Sequence, residues 1–124
     1  MNAEGGCNAG FLRPDALLVV TMILDHDDYI SKTKPADWYN AVVKAKGDPA
    51  AVVMLAIQPQ ALPRGEEEKP GCTYDGQDHT LRLRDLIKMF PFHEEGNTCA
   101  ASYVPFFETA AGRVAEACAA FIPG

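Results

Sequence analysis

The chain has 124 residues and a mass of 13.4 kDa, the size of one domain (1–124), and such a length buries roughly two-thirds of its unfolded surface. With 48% hydrophobic and 23% charged residues it lies outside the composition of disordered chains. Seventeen acidic against eleven basic side chains give a net charge of −6, which argues against nucleic acid and anionic membrane surfaces as partners, and no apolar run nears the roughly 18 to 20 residues of a transmembrane span.

Residues 1–14 read as an N-terminal arm. Met1 to Gly10 has no basic start and no apolar middle, so no secretory signal is expected there, and Cys7 after Gly5-Gly6 is only a weak lipid-attachment signal. Ala16 to Leu24 is a nearly continuous apolar run, the pattern of a strand covered on both faces, and is expected to be a central parallel strand. It ends in the acidic cluster Asp25, His26, Asp27, Asp28.

Pro35 then presets a first helical turn, and Trp38, Ala41, Val42 and Ala45 recur at helical spacing up to Gly47. Ala50 to Ile57 is a second strand, stopped by Pro59, so the three elements form a crossover unit. Residues 58–79, rich in Pro and Gly with the run Glu66-Glu67-Glu68, read as a long loop within the domain.

Leu83, Leu86, Ile87 and Phe90 mark a second helix, ended by Pro91. Asn97 to Ser102 is expected to be a short third strand. Phe107, Ala110, Ala111, Val114, Cys118 and Phe121 are expected to share the apolar face of a terminal helix that Pro105 opens. The order is β-α-β-α-β-α with parallel strands and flanking helices, half of a doubly wound, three-layer α/β sheet. Half a sheet leaves one flank of the Ala16–Leu24 strand unpaired, an edge that invites self-association.

The four cysteines, Cys7, Cys72, Cys99 and Cys118, include no Cys-x-x-Cys pair, which argues against a zinc ribbon or a thioredoxin-like site. Their even number and wide spacing suit two disulfides; the alternative is four reduced, buried thiols.

Phe11-Leu12-Arg13-Pro14-Asp15-Ala16-Leu17-Leu18-Val19-Val20 running into Asp25-His26-Asp27-Asp28, Asp37-Trp38-Tyr39 with Ala41-Val42-Val43, and Cys99 followed by Tyr103-Val104-Pro105-Phe106-Phe107 carry a resemblance. Together they resemble the C-terminal half of a von Willebrand factor type A domain, of the kind found in secreted or lipoprotein, cysteine-rich bacterial proteins. The resemblance implies a Rossmann-like fold, an extracytoplasmic location and a metal ion-dependent adhesion site, in which Mg²⁺ or Ca²⁺ at the strand ends holds an acidic group of a protein or cell-surface partner. Asp25 corresponds to that family's aspartate after the fourth strand. The Asp-x-Ser-x-Ser motif that supplies its first ligands is absent, since the only serines are Ser31 and Ser102.

Asp25 is therefore the leading metal-ligand candidate, with Asp27 and Asp28 behind it; the competing reading is a solvated acidic turn whose aspartates cap backbone N–H groups. His26 reads as a surface imidazole, and His79 and His93 lack ligand spacing. Trp38, Phe106 and Phe107 read as core. Element order and the resemblance together pair Cys99 with Cys118, leaving Cys7 with Cys72; Cys118 as a small core residue is the second choice.

The expected function is a non-enzymatic binding or adhesion module whose site is incomplete in this chain. The alternatives are a metal-dependent hydrolase or phosphotransfer-type enzyme built on Asp25, Asp27 and Asp28, and a structural fragment that folds by association. No Gly-x-Ser-x-Gly elbow or phosphate loop supports the enzyme.

Overall fold

A computed structural model describes residues 9–25, 28, 30–61, 65–67, 69, 72–74 and 82–122. Three parallel strands form the main sheet: β1 (Leu18–Ile23), β2 (Val52–Gln58) and β5 (Phe92–Asn97), in the order β1-β2-β5. A two-stranded parallel sheet, β3 (Gln60–Ala61) with β4 (Thr73–Tyr74), lies inside the segment expected to be irregular loop. The helices are α1 (Pro35–Lys46), α2 (Arg82–Lys88) and α3 (Val104–Ala120), with a 3₁₀ turn at Pro49–Ala51. The expected α/β class and β-α-β-α-β-α alternation of the main elements are present, as a parallel half-sheet of Rossmann-like kind.

Helix α1 begins where Pro35 fixes φ and the Asp37 carboxylate accepts the Lys34 N–H at 2.8 Å, and it stops at Gly47, whose φ of 93° suits glycine. Two cores flank the sheet. Val52, Met54 and Ala56 of β2 pack with Leu86, Ile87 and Phe90, joined by Trp38, Tyr39, Val42 and Val43 of α1, so α1 and α2 share one face. Val53, Leu55 and Ile57 pack with Phe106, Ala110 and Ala117 of α3 on the other. Crossovers β1-α1-β2 and β2-α2-β5 step in the same direction, and right-handedness then puts both helices on one side.

The central strand is β2, correcting the expectation for Ala16–Leu24. Every β2 residue is buried, whereas β1 alternates half-buried and exposed at the sheet edge. Apolar continuity in β1 misleads because Val19 and Ile23 point to the α3 side, which α3 leaves uncovered over β1; they are 42% and 72% exposed. The third strand lies at Phe92–Asn97, upstream of the expected Asn97–Ser102. Its glutamates hide it from a hydropathy reading, yet as an edge strand it accommodates them by pairing with arginines of the helices on either side.

On α3 the buried stripe is Phe106, Ala110 and Ala117 with Val114 beside it; Phe107 and Cys118, expected on that stripe, are exposed. One position along a helix is a rotation of about 100°, enough to exchange core for solvent.

That rotation also overturns the disulfide pairing. Cys99 bonds Cys72, with Cα atoms 5.1 Å apart, and Cys118 is a free, exposed thiol. Cys99 lies in the turn after β5, where the end of the sheet meets β3–β4, rather than beneath α3. The Cys7 half of the expected Cys7–Cys72 pair lies outside the described residues, but Cys72 is already committed.

Candidate functional site at the strand ends

Parallel α/β sheets present ligands at the C-terminal ends of their strands, here Asp25 after β1, Gln58 at the end of β2 and Asn97 at the end of β5. Asp25 is exposed there, directly after the Leu24 N–H that donates to the Ile57 carbonyl at 2.9 Å. Asp27 and His26 lie outside the described residues.

Asp28 behaves as a turn residue. Its Oδ1 accepts the N–H groups of Ile30 at 3.1 Å and Ser31 at 2.9 Å. Hydrogen bonding from Ser31 holds its carboxyl below the usual carboxylate range, with smaller help from Ile30 and from the charge of Arg82. Arg82, the first residue of α2, donates from one nitrogen to the carbonyls of Asp28 and Ser31, each at 2.8 Å, and from another to that of Thr33. Its guanidinium stacks over the Trp38 ring at 4.8 Å. Trp38 thus packs against the core, as expected, and also carries the arginine that organises the acidic turn.

A second polar cluster was not signalled by the sequence. Gln58, 4% exposed, donates from Nε2 to Glu95 Oε2 at 2.9 Å, and Arg84 Nε donates to the same oxygen at 2.7 Å. Arg84 also reaches the Pro59 carbonyl at 3.3 Å, and Lys88 Nζ lies 3.8 Å from the other Glu95 oxygen. No buried side-chain nitrogen or oxygen among the described residues lacks a partner. With its carboxylate held by an arginine, a lysine and an amide, Glu95 closes the end of β2. The disulfide reinforces this end: Gln60 N–H donates to the Cys72 carbonyl at 2.9 Å and Thr98 N–H to the Gln58 carbonyl at 3.3 Å.

The described residues do not fit a cation site by themselves. Among them no three His, Cys, Asp or Glu side chains converge, whereas Ca²⁺ takes six to eight oxygens and Mg²⁺ six ligands. Asp28 is engaged with backbone donors, and the Arg82 guanidinium already brings positive charge to the turn. Among the described residues no helix is long and apolar enough to cross a membrane.

Comparison with known proteins adds no relative: no family model, curated protein or solved structure matches the chain. The fold and the strand-end geometry define its class, a parallel α/β half-sheet with a disulfide-tied end, in which β1 and β5 each have a strand on one side only among the described residues.

Proposed function

We propose that the chain is a non-enzymatic, extracytoplasmic binding module of the von Willebrand factor type A kind, represented by the C-terminal half of its sheet, which engages a protein or cell-surface partner at the β1 end. The observation that carries this reading is β1 itself. It leads into the exposed Asp25 and, among the described residues, has a strand on one side only. A strand added there would complete the sheet and stand beside Asp25, where a complete domain would gather further oxygen ligands around Mg²⁺ or Ca²⁺. The Cys72–Cys99 disulfide supports an oxidising, extracytoplasmic setting.

Two measurements test the reading. Calorimetric titration of the chain with Mg²⁺ and Ca²⁺ is expected to show weak, millimolar binding that Asp25→Asn removes; flat traces for both ions withdraw the cation and leave Asp25 as a turn residue. Hydrolysis of p-nitrophenyl phosphate in Mg²⁺ is expected to stay at the buffer rate. Turnover abolished by Asp25→Asn would instead establish an enzyme.

A further inference from the structure

Among the described residues, β1 has a strand on one side only, and so presents both backbone groups to pair and a face to cover. Leu24 N–H donates to the Ile57 carbonyl, and the alternation of a parallel ladder then turns the N–H and C=O of Val20, Met22 and Leu24 toward β2 and those of Val19, Thr21 and Ile23 outward. The same three residues lie on the α3 side, in register with Val53, Leu55 and Ile57. Helix α3 packs on β5 and β2, and leaves Val19 42% and Ile23 72% exposed. From Leu18 to Ile23 there is no charge and no proline, so the edge carries none of the usual devices that keep strands apart.

We propose that the occupant of this edge is a second copy of the chain, with its β1 laid antiparallel about a two-fold axis at Thr21, joining two half-sheets into one. The proposal deepens, and rests on, the reading of the β1 edge as the place where the sheet is completed. Centred there, the strand is self-complementary: Val19 stands opposite Ile23 of the second copy, Thr21 opposite Thr21, and Val20 opposite Met22 on the other face. The outward groups of Val19, Thr21 and Ile23 form hydrogen-bonded pairs, about six bonds in all, and β-branched cross-strand neighbours add to them.

Charge decides the direction. The beginning of β1 is net basic: Arg13 and Lys46, with Leu17, Leu18 and Val19, line a cavity of about 210 Å³, Arg13 is exposed, and the two cations stand against one exposed carboxylate, Asp15. The other end is acidic, with Asp25 exposed directly after Leu24. Antiparallel pairing brings Asp25 of one copy opposite Leu17 of the other, at the mouth of the Arg13 cavity, and the two-fold repeats the contact. Parallel pairing would set the two Asp25 carboxylates side by side.

Sedimentation equilibrium of the whole chain at micromolar concentration tests the proposal. The expected result is a dimer that loosens as salt rises. Arg13→Glu and Asp25→Lys are each expected to weaken it by about tenfold or more, and the two together to restore it, because the exchanged charges face one another again. Thr21→Pro, whose lost N–H points away from β2, is expected to keep the native circular dichroism and sediment as a monomer. A chain that is monomeric throughout, or a dimer indifferent to both charge reversals, overturns the self-pairing. A monomer that still gives the Mg²⁺ heat removes this proposal alone, whereas a charge-dependent dimer with flat titrations upholds it and removes only the cation.

Discussion

Gly96 occupies a position in β5 where a methyl group has no room. A Cβ there would stand 2.8 Å from Cδ2 and 3.1 Å from Cγ of Phe106, the aromatic anchor of α3. Gly96→Ala therefore forces the ring aside and is expected to cost about 1 to 3 kcal/mol in urea denaturation, with Phe106→Leu in the same chain recovering part of the loss. The Gln58–Arg84–Glu95 cluster makes a different claim, about charge. Arg84 and Glu95 side chains are only 15% and 22% exposed, so removing one partner strands the other. Arg84→Met is expected to destabilise by about 2 kcal/mol, and Arg84→Met with Glu95→Leu by less than the sum of the two single changes. An additive double-mutant cycle would show that the two side chains merely lie close together.

Among the elements, the disulfide joins segments that have little regular structure of their own. Cys72 and Cys99 are separated by 27 residues, and closing a loop of that size contributes about 3.5 kcal/mol in the chain-entropy account. Cys72→Ser and Cys99→Ser are each expected to lower Tm by several degrees, and Cys118→Ser to leave it unchanged, as differential scanning calorimetry would show. Non-reducing peptide mapping should recover Cys72 joined to Cys99; a Cys99–Cys118 peptide would restore the pairing that element order suggested. What the sequence could reveal follows from which elements depend on their own residues. α1 and β2 were legible because Pro35, Gly47 and the run Val52–Ile57 determine them locally. β5 was not, because Glu94 and Glu95 are tolerated in a strand only once Arg113 and Arg84 stand on opposite sides of it. The site divides the same way. The turn at Asp28 could be anticipated from an aspartate two and three residues before its donors, whereas Gln58 and Glu95 meet across 37 residues, a distance no local pattern spans.

For the molecule as a whole, the arrangement is lopsided: α1 and α2 cover one face of the sheet across β1 and β2, while α3 covers the other over β2 and β5. Protection should follow that asymmetry. β2 is buried along its whole length and bonded to a strand on each side, so its amides, Val53 to Ile57, are expected to be the slowest in hydrogen exchange, opening only with global unfolding. β1 should show a two-residue alternation. The amides of Val20, Met22 and Leu24 face β2 and exchange slowly, while those of Val19, Thr21 and Ile23 face the open edge and exchange fast in dilute solution. Raising the concentration is then expected to slow only the second set, since a strand joining the edge hydrogen-bonds those amides and leaves the inner ladder as it was. Uniformly slow exchange along β1 at the lowest concentration would mean that the outer edge is already paired within one chain, and the same measurement would count against both the open edge and the second copy that fills it.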